Sequence, residues 1–86
     1  MNNEKVNSLQ QARDKIDQID VALIELIASR QFYVDQAMRH KQTVEDVIKK
    51  VRGAAQDQGV DPNLIEHIYR EMIHHFIQRE LKELRP

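Results

Sequence analysis

Two cations and one carboxylate stand where helices of this chain should be apolar, and a third cation flanks them. From Leu9, apolar side chains recur at steps of three and four through Ala12, Ile16, Ile19, Leu23 and Leu26. That is the spacing of a helix face turned towards apolar partners. The same steps continue to Arg30, Tyr33, Ala37 and His40, with Lys41 on the same side and Arg13 and Asp20 on its flank. A cation in such a stripe is costly to bury unless an anion meets it. Two readings follow: carboxylates of the protein itself meet the cations, or a small anionic ligand does. Arg30 and Lys41 are eleven residues apart, roughly 16 Å along a helix and nearly in phase, so two long side chains can close on one dianion. Arg13 lies roughly 40 Å from Lys41 on the same helix and can join them only from an antiparallel partner chain. Glu80 is the fourth oddity. It sits four residues past Phe76 and seven past Ile73, on the apolar face of the last helix, either as part of a site or snorkelling near a helix end.

The elements that must carry these residues are helical. The chain has 86 residues, two glycines, two prolines and no cysteine or tryptophan, which predicts an all-α domain without disulfide or thiol chemistry. Residues 9 to about 42 form one helix of about 33 residues, roughly 50 Å long, with Ser8 as N-cap. Such a rod cannot bury its stripe within one 86-residue chain, so an intertwined helical homodimer is expected. Thr43, followed by Asp46, caps a second helix over about 44–58, with Val44, Val47, Ile48, Val51, Ala54 and Ala55 as its apolar positions. If that cap fails, the first two helices run on as one rod. Gly53 inside the second helix marks a close helix approach. Gly59 stops this helix, and Asp61 with Pro62 opens the third over about 62–84. Ile65, Ile68, Tyr69, Met72, Ile73 and Phe76 form its inner face, flanked by Ile77, Leu81 and Leu84.

Other function classes find little support. The net charge of −1 argues against a nucleic-acid footprint or polybasic membrane binding. No apolar run reaches a membrane-spanning length and no signal peptide opens the chain, so a cytoplasmic protein is expected. His67, Glu71, His74 and His75 contain one Glu-x-x-His step, but a helical metal site needs a second such motif, so these side chains read as solvated. Lys49, Lys50 and Arg52 read as a solvated face, and Phe32, Tyr33 and Phe76 as core.

The run Arg13-x-x-Ile16-x-x-Ile19-Asp20, then Leu26-x-x-x-Arg30, Tyr33-Val34 and Lys41, resembles the first helix of the all-helical chorismate mutases. Tyr33-Val34-x-x-Ala37 and Ile73-His74-His75-Phe76-Ile77 are most similar to the isochorismate-pyruvate lyase branch. The resemblance extends from Leu9 to about Leu84. It implies an intertwined dimer of three-helix chains, two active sites built from both chains, a small dicarboxylate substrate and no cofactor. It also implies roles: Arg30 and the partner's Arg13 on the carboxylates, Lys41 on the ether oxygen, and Glu80 where relatives usually carry a glutamine with the same task. Between the first two helices this chain is shorter than typical relatives, in which that region forms a lid and supplies an arginine and acidic contacts to the ring hydroxyl. Arg52, Glu45 and Asp46 are the stand-ins, with Ile77 beside the substrate. Conversion of chorismate to prephenate is the first expectation. Cleavage of isochorismate to salicylate and pyruvate is the second, and a non-catalytic helical dimerisation or regulatory module the third.

Overall fold

A computed structural model of the chain describes residues 3–37 and 43–83. It contains three helices, α1 (Leu9–Gln36), α2 (Val44–Asp57) and α3 (Pro62–Glu83), and the described residues include no strand. The chain divides into two compact units, Met1–Met38 and Arg39–Pro86. No helix among the described residues is long and apolar enough to cross a membrane.

The first unit is built on α1. Ser8, extended at φ −147° and ψ 160°, accepts a hydrogen bond on its hydroxyl from the Gln11 amide at 3.1 Å, which satisfies a donor that the first turn leaves open. The Gln11 side chain in turn accepts from the Asn7 amide at 2.8 Å. At the other end the Ala37 amide is shared between the carbonyls of Tyr33 (3.0 Å) and Val34 (3.1 Å), the tightening at which α-helical runs commonly close. The helix therefore has 28 residues among those described, about 42 Å; the expected end near residue 42 lies outside them. Residues 38–42 lie outside the described residues. No residue of α1 is buried. Its stripe is open to solvent in the single chain, with Leu23 53% and Tyr33 67% exposed. Phe32 and Tyr33, expected in a core, instead meet each other edge to face with ring centroids 5.3 Å apart, both exposed.

The second unit is an α2–α3 hairpin. Thr43 is extended (φ −67°, ψ 156°) and its hydroxyl accepts from the Asp46 amide at 3.1 Å, a backbone conformation that rules out a continuous helix through this residue. The turn after α2 is a Schellman closure: the Val60 amide donates to the Ala55 carbonyl (2.9 Å) and the Gly59 amide to that of Gln56 (3.1 Å). Gly59 has φ 72°, left-handed backbone that a side chain would resist. Asp61 then accepts from the Asn63 amide on its carboxylate at 2.8 Å, and Pro62 takes the first helical position, where its missing N–H costs nothing.

The hairpin's core is thin. Among the described residues only Ile48 (3% exposed) and Ala55 (5%) are fully buried, two turns apart on one face of α2. Val47 and Val51 beside them, and Ile65, Tyr69, Met72, Ile73 and Phe76 of α3, are half-buried. Ile68, expected on the inner face, is 43% exposed. Gly53 does not mark a close approach: a β-carbon there would meet nothing within 4 Å. It lies on the solvent side of α2.

Candidate functional site

The two units carry different parts of the expected constellation. Arg13 and Arg30 both project from α1, Arg13 exposed and Arg30 half-buried. They are seventeen residues apart, about 26 Å along the helix, so one chain cannot place both on one small ligand. Lys41 lies outside the described residues. Arg52, Glu45, Asp46, Ile77 and Glu80 belong to the hairpin.

Within the hairpin, ion pairs set the register. Arg52 donates through Nη1 to Glu66 Oε1 at 2.8 Å and to Asn63 Oδ1 at 3.0 Å. The other oxygen of Glu66 accepts from Arg70 Nε at 2.8 Å, one turn further along α3, with the acid on the N-terminal side that such helical pairs favour. Arg70 Nη2 reaches across to Glu45, at 3.1 and 3.2 Å from its two oxygens. Higher positions on α2 thus meet lower positions on α3, the signature of an antiparallel pair. One acid–base chain, Arg52–Glu66–Arg70–Glu45, ties the helices together along an exposed edge.

The electrostatics follow from that chain. Hydrogen bonding from Arg70 is the main cause holding the Glu66 carboxyl below its ordinary value. Partial desolvation opposes it, and Arg52 adds to it. Reciprocally, Glu66 first and Glu45 second hold the Arg70 proton more firmly than usual. These are charge-assisted contacts in which the ionised form of each partner is favoured. Composition-level reading missed Arg70 and Glu66. The Glu66–Arg70 spacing of four was visible in the sequence, but their partners on α2 are set by tertiary register.

Two of the three stand-ins for a lid are therefore already engaged, Arg52 with Asn63 and Glu66, and Glu45 with Arg70. Asp46 contributes its backbone amide to the Thr43 cap. Glu80 and Ile77 stand elsewhere. Arg70 pairs with the second residue of α2, and Glu80 lies ten residues beyond Arg70, about 15 Å further along α3. Both thus sit on a stretch of α3 that runs on past the start of α2. Glu80 is half-buried there and Ile77 exposed. His67, His74 and His75 are exposed as well, the last two with rings 6.0 Å apart. Among the described residues no group of three or more acidic or histidine side chains converges for a metal ion.

A model of the type II chorismate mutase family matches residues 12–81. The chain belongs to the type II chorismate mutase family. The matched span opens one residue before Arg13 and closes one residue after Glu80, so the cations of the first helix and the carboxyl of α3 all fall within it. The three helices and the lack of strands among the described residues agree with this family's helical character. No curated protein matches the chain.

Proposed function

We propose that this chain is a chorismate mutase that converts chorismate to prephenate in a helical homodimer, without a cofactor. Membership of the type II family carries the reading. The open apolar stripe of α1 supports the dimer, because side chains such as Leu23 and Leu26 stay more than half exposed in the single chain and call for a partner. An antiparallel second α1 would also bring the partner's Arg13 to the end of the stripe where Arg30 lies.

In this mechanism the protein supplies no covalent chemistry. Arg30 and the partner's Arg13 hold the two carboxylates and keep the substrate in the compact conformer from which the rearrangement proceeds. Negative charge grows on the ether oxygen as its C–O bond breaks and the new C–C bond forms. Lys41 donates to that oxygen and so does Glu80 in its protonated form, stabilising the transition state more than the ground state. Ile77 forms apolar wall beside the ring. Arg52 stands in for the lid arginine of this reading, and Glu45 and Asp46 for the acidic contacts to the ring hydroxyl, which for Arg52 and Glu45 means exchanging Glu66 and Arg70 for substrate.

Isochorismate is the second substrate to be tested, because the Ile73-His74-His75-Phe76-Ile77 run resembles the lyase branch. The protein is incubated separately with chorismate and with isochorismate, and products are resolved by chromatography. Prephenate from chorismate supports the mutase. Salicylate and pyruvate from isochorismate alone replace it with the lyase. No turnover of either leaves a helical dimerisation module.

A further inference from the structure

The segment preceding α1 lies against the face that the proposed dimer needs. Asn3, Glu4 and Val6 border, together with Ile16, Ile19 and Leu23 of the stripe, a groove of about 640 Å³. Residues 3–6 precede the Ser8 cap, yet the groove they border extends along α1 as far as Leu26. The chain bends at Asn7 and Ser8, which brings residues 3–6 to the border of this groove. The hydrogen bond from the Asn7 amide to the Gln11 side chain (2.8 Å) and the Ser8 cap hold that bend in place. Val6 is the segment's apolar member in the groove and is 38% exposed, against 49–55% for Ile19, Leu23 and Ile16.

We infer that Asn3–Val6 is an intramolecular strap that competes with the second chain for the α1 stripe and so weakens dimerisation. The inference rests on the proposed dimer. Two occupants cannot share one apolar face, so the dimer forms only from chains whose strap is displaced, and because both chains must release it the apparent Kd rises by the inverse square of the displaced fraction. The strap's hold is slight because Glu4 and the flanking Lys5 are polar and only Val6 brings apolar surface. A small change at Val6 therefore shifts the balance measurably.

The test is sedimentation equilibrium of the full-length chain and two variants, with circular dichroism to confirm equal helicity. Val6→Asp places a charge in the apolar groove and releases the strap, and the dimer Kd should fall about fivefold. Val6→Leu adds apolar surface to the strap and should raise Kd about twofold to threefold. The opposite pair of signs, weaker with Asp and tighter with Leu, would make Val6 part of the dimer interface and overturn the inference. An unchanged Kd in both variants overturns it equally, with the dimer itself intact. A wild-type chain and variants that are all monomeric at millimolar concentration remove the dimer reading and this inference with it.

Discussion

Exchange of subunits between two inactive variants tests whether the site is shared. Replacing Arg30 with alanine removes a half-buried cation at the end of an apolar stripe, which in the proposed mechanism holds a substrate carboxylate. Loss of such a contact costs about 3–5 kcal/mol of transition-state binding, roughly 200- to 5,000-fold in kcat/KM. Alanine is the strongest helix former, so α1 should persist and the far-ultraviolet dichroism should not change. Arg13→Ala should show a comparable loss although Arg13 is exposed and about 26 Å away along α1. The spacing then dictates the outcome of mixing. In the proposed two-fold dimer each site would take Arg30 from one chain and Arg13 from the other. A mixed dimer of Arg13→Ala and Arg30→Ala chains has both substitutions in one site and neither in the other. Equal amounts, unfolded together and refolded, give about half mixed dimers, so activity should recover to about a quarter of wild type. Recovery no greater than the mean of the two parents would refute the shared site. Full activity of either single variant would refute the role of that arginine.

Three further outcomes follow from the hairpin. Gly53→Ala should stabilise the protein by about 1 kcal/mol in urea unfolding, since a β-carbon there meets nothing within 4 Å and α2 gains helix propensity; destabilisation would show that Gly53 is covered in the assembled protein. Glu66 has a depressed folded-state pKa, so its contribution to stability is complete above the ordinary carboxyl value of 4.5 and is lost as pH falls through the lower folded value. Glu66→Gln should flatten the acid limb of the melting temperature against pH, and an identical acid limb in both proteins would take the ion-pair chain out of the hairpin's stability. If Glu80 donates to the ether oxygen, Glu80→Gln keeps a donor and Glu80→Leu removes it; kcat/KM should survive the first change and fall in the second, whereas equal values for both variants exclude the role.

What the sequence made legible was local. Ser8, Thr43, Gly59 and the Asp61–Pro62 pair each act through backbone groups within three residues of themselves, so residue type alone nearly determines the geometry. The end of α1 lacks such a signal: no glycine, proline or asparagine stands near Ala37, and the helix closes through a shared amide that no residue type announces. Gly53 was misread for the complementary reason, because a glycine that lets another helix approach and one that faces water look alike in sequence. The register of α2 on α3 was equally hidden, since Arg52 and Glu45 could not be matched to Glu66 and Arg70 without knowing which faces meet.

The site divides along the same line. Arg30 and Glu80 stand out because each interrupts an apolar period, and periodicity is a property of one helix that sequence records directly. Arg52 and Glu45 were selected by analogy to a lid that this chain shortens, and they are engaged in the hairpin's own ion pairs. A charge that breaks a stripe has to be explained by whatever covers the stripe; a charge on an open edge is explained by its neighbour. On that ground Arg30 and Glu80 are the positions at which substitution tests the proposed substrate contacts most directly. The α2 pair can claim substrate only if it outcompetes Glu66 and Arg70, partners already held at 2.8–3.2 Å.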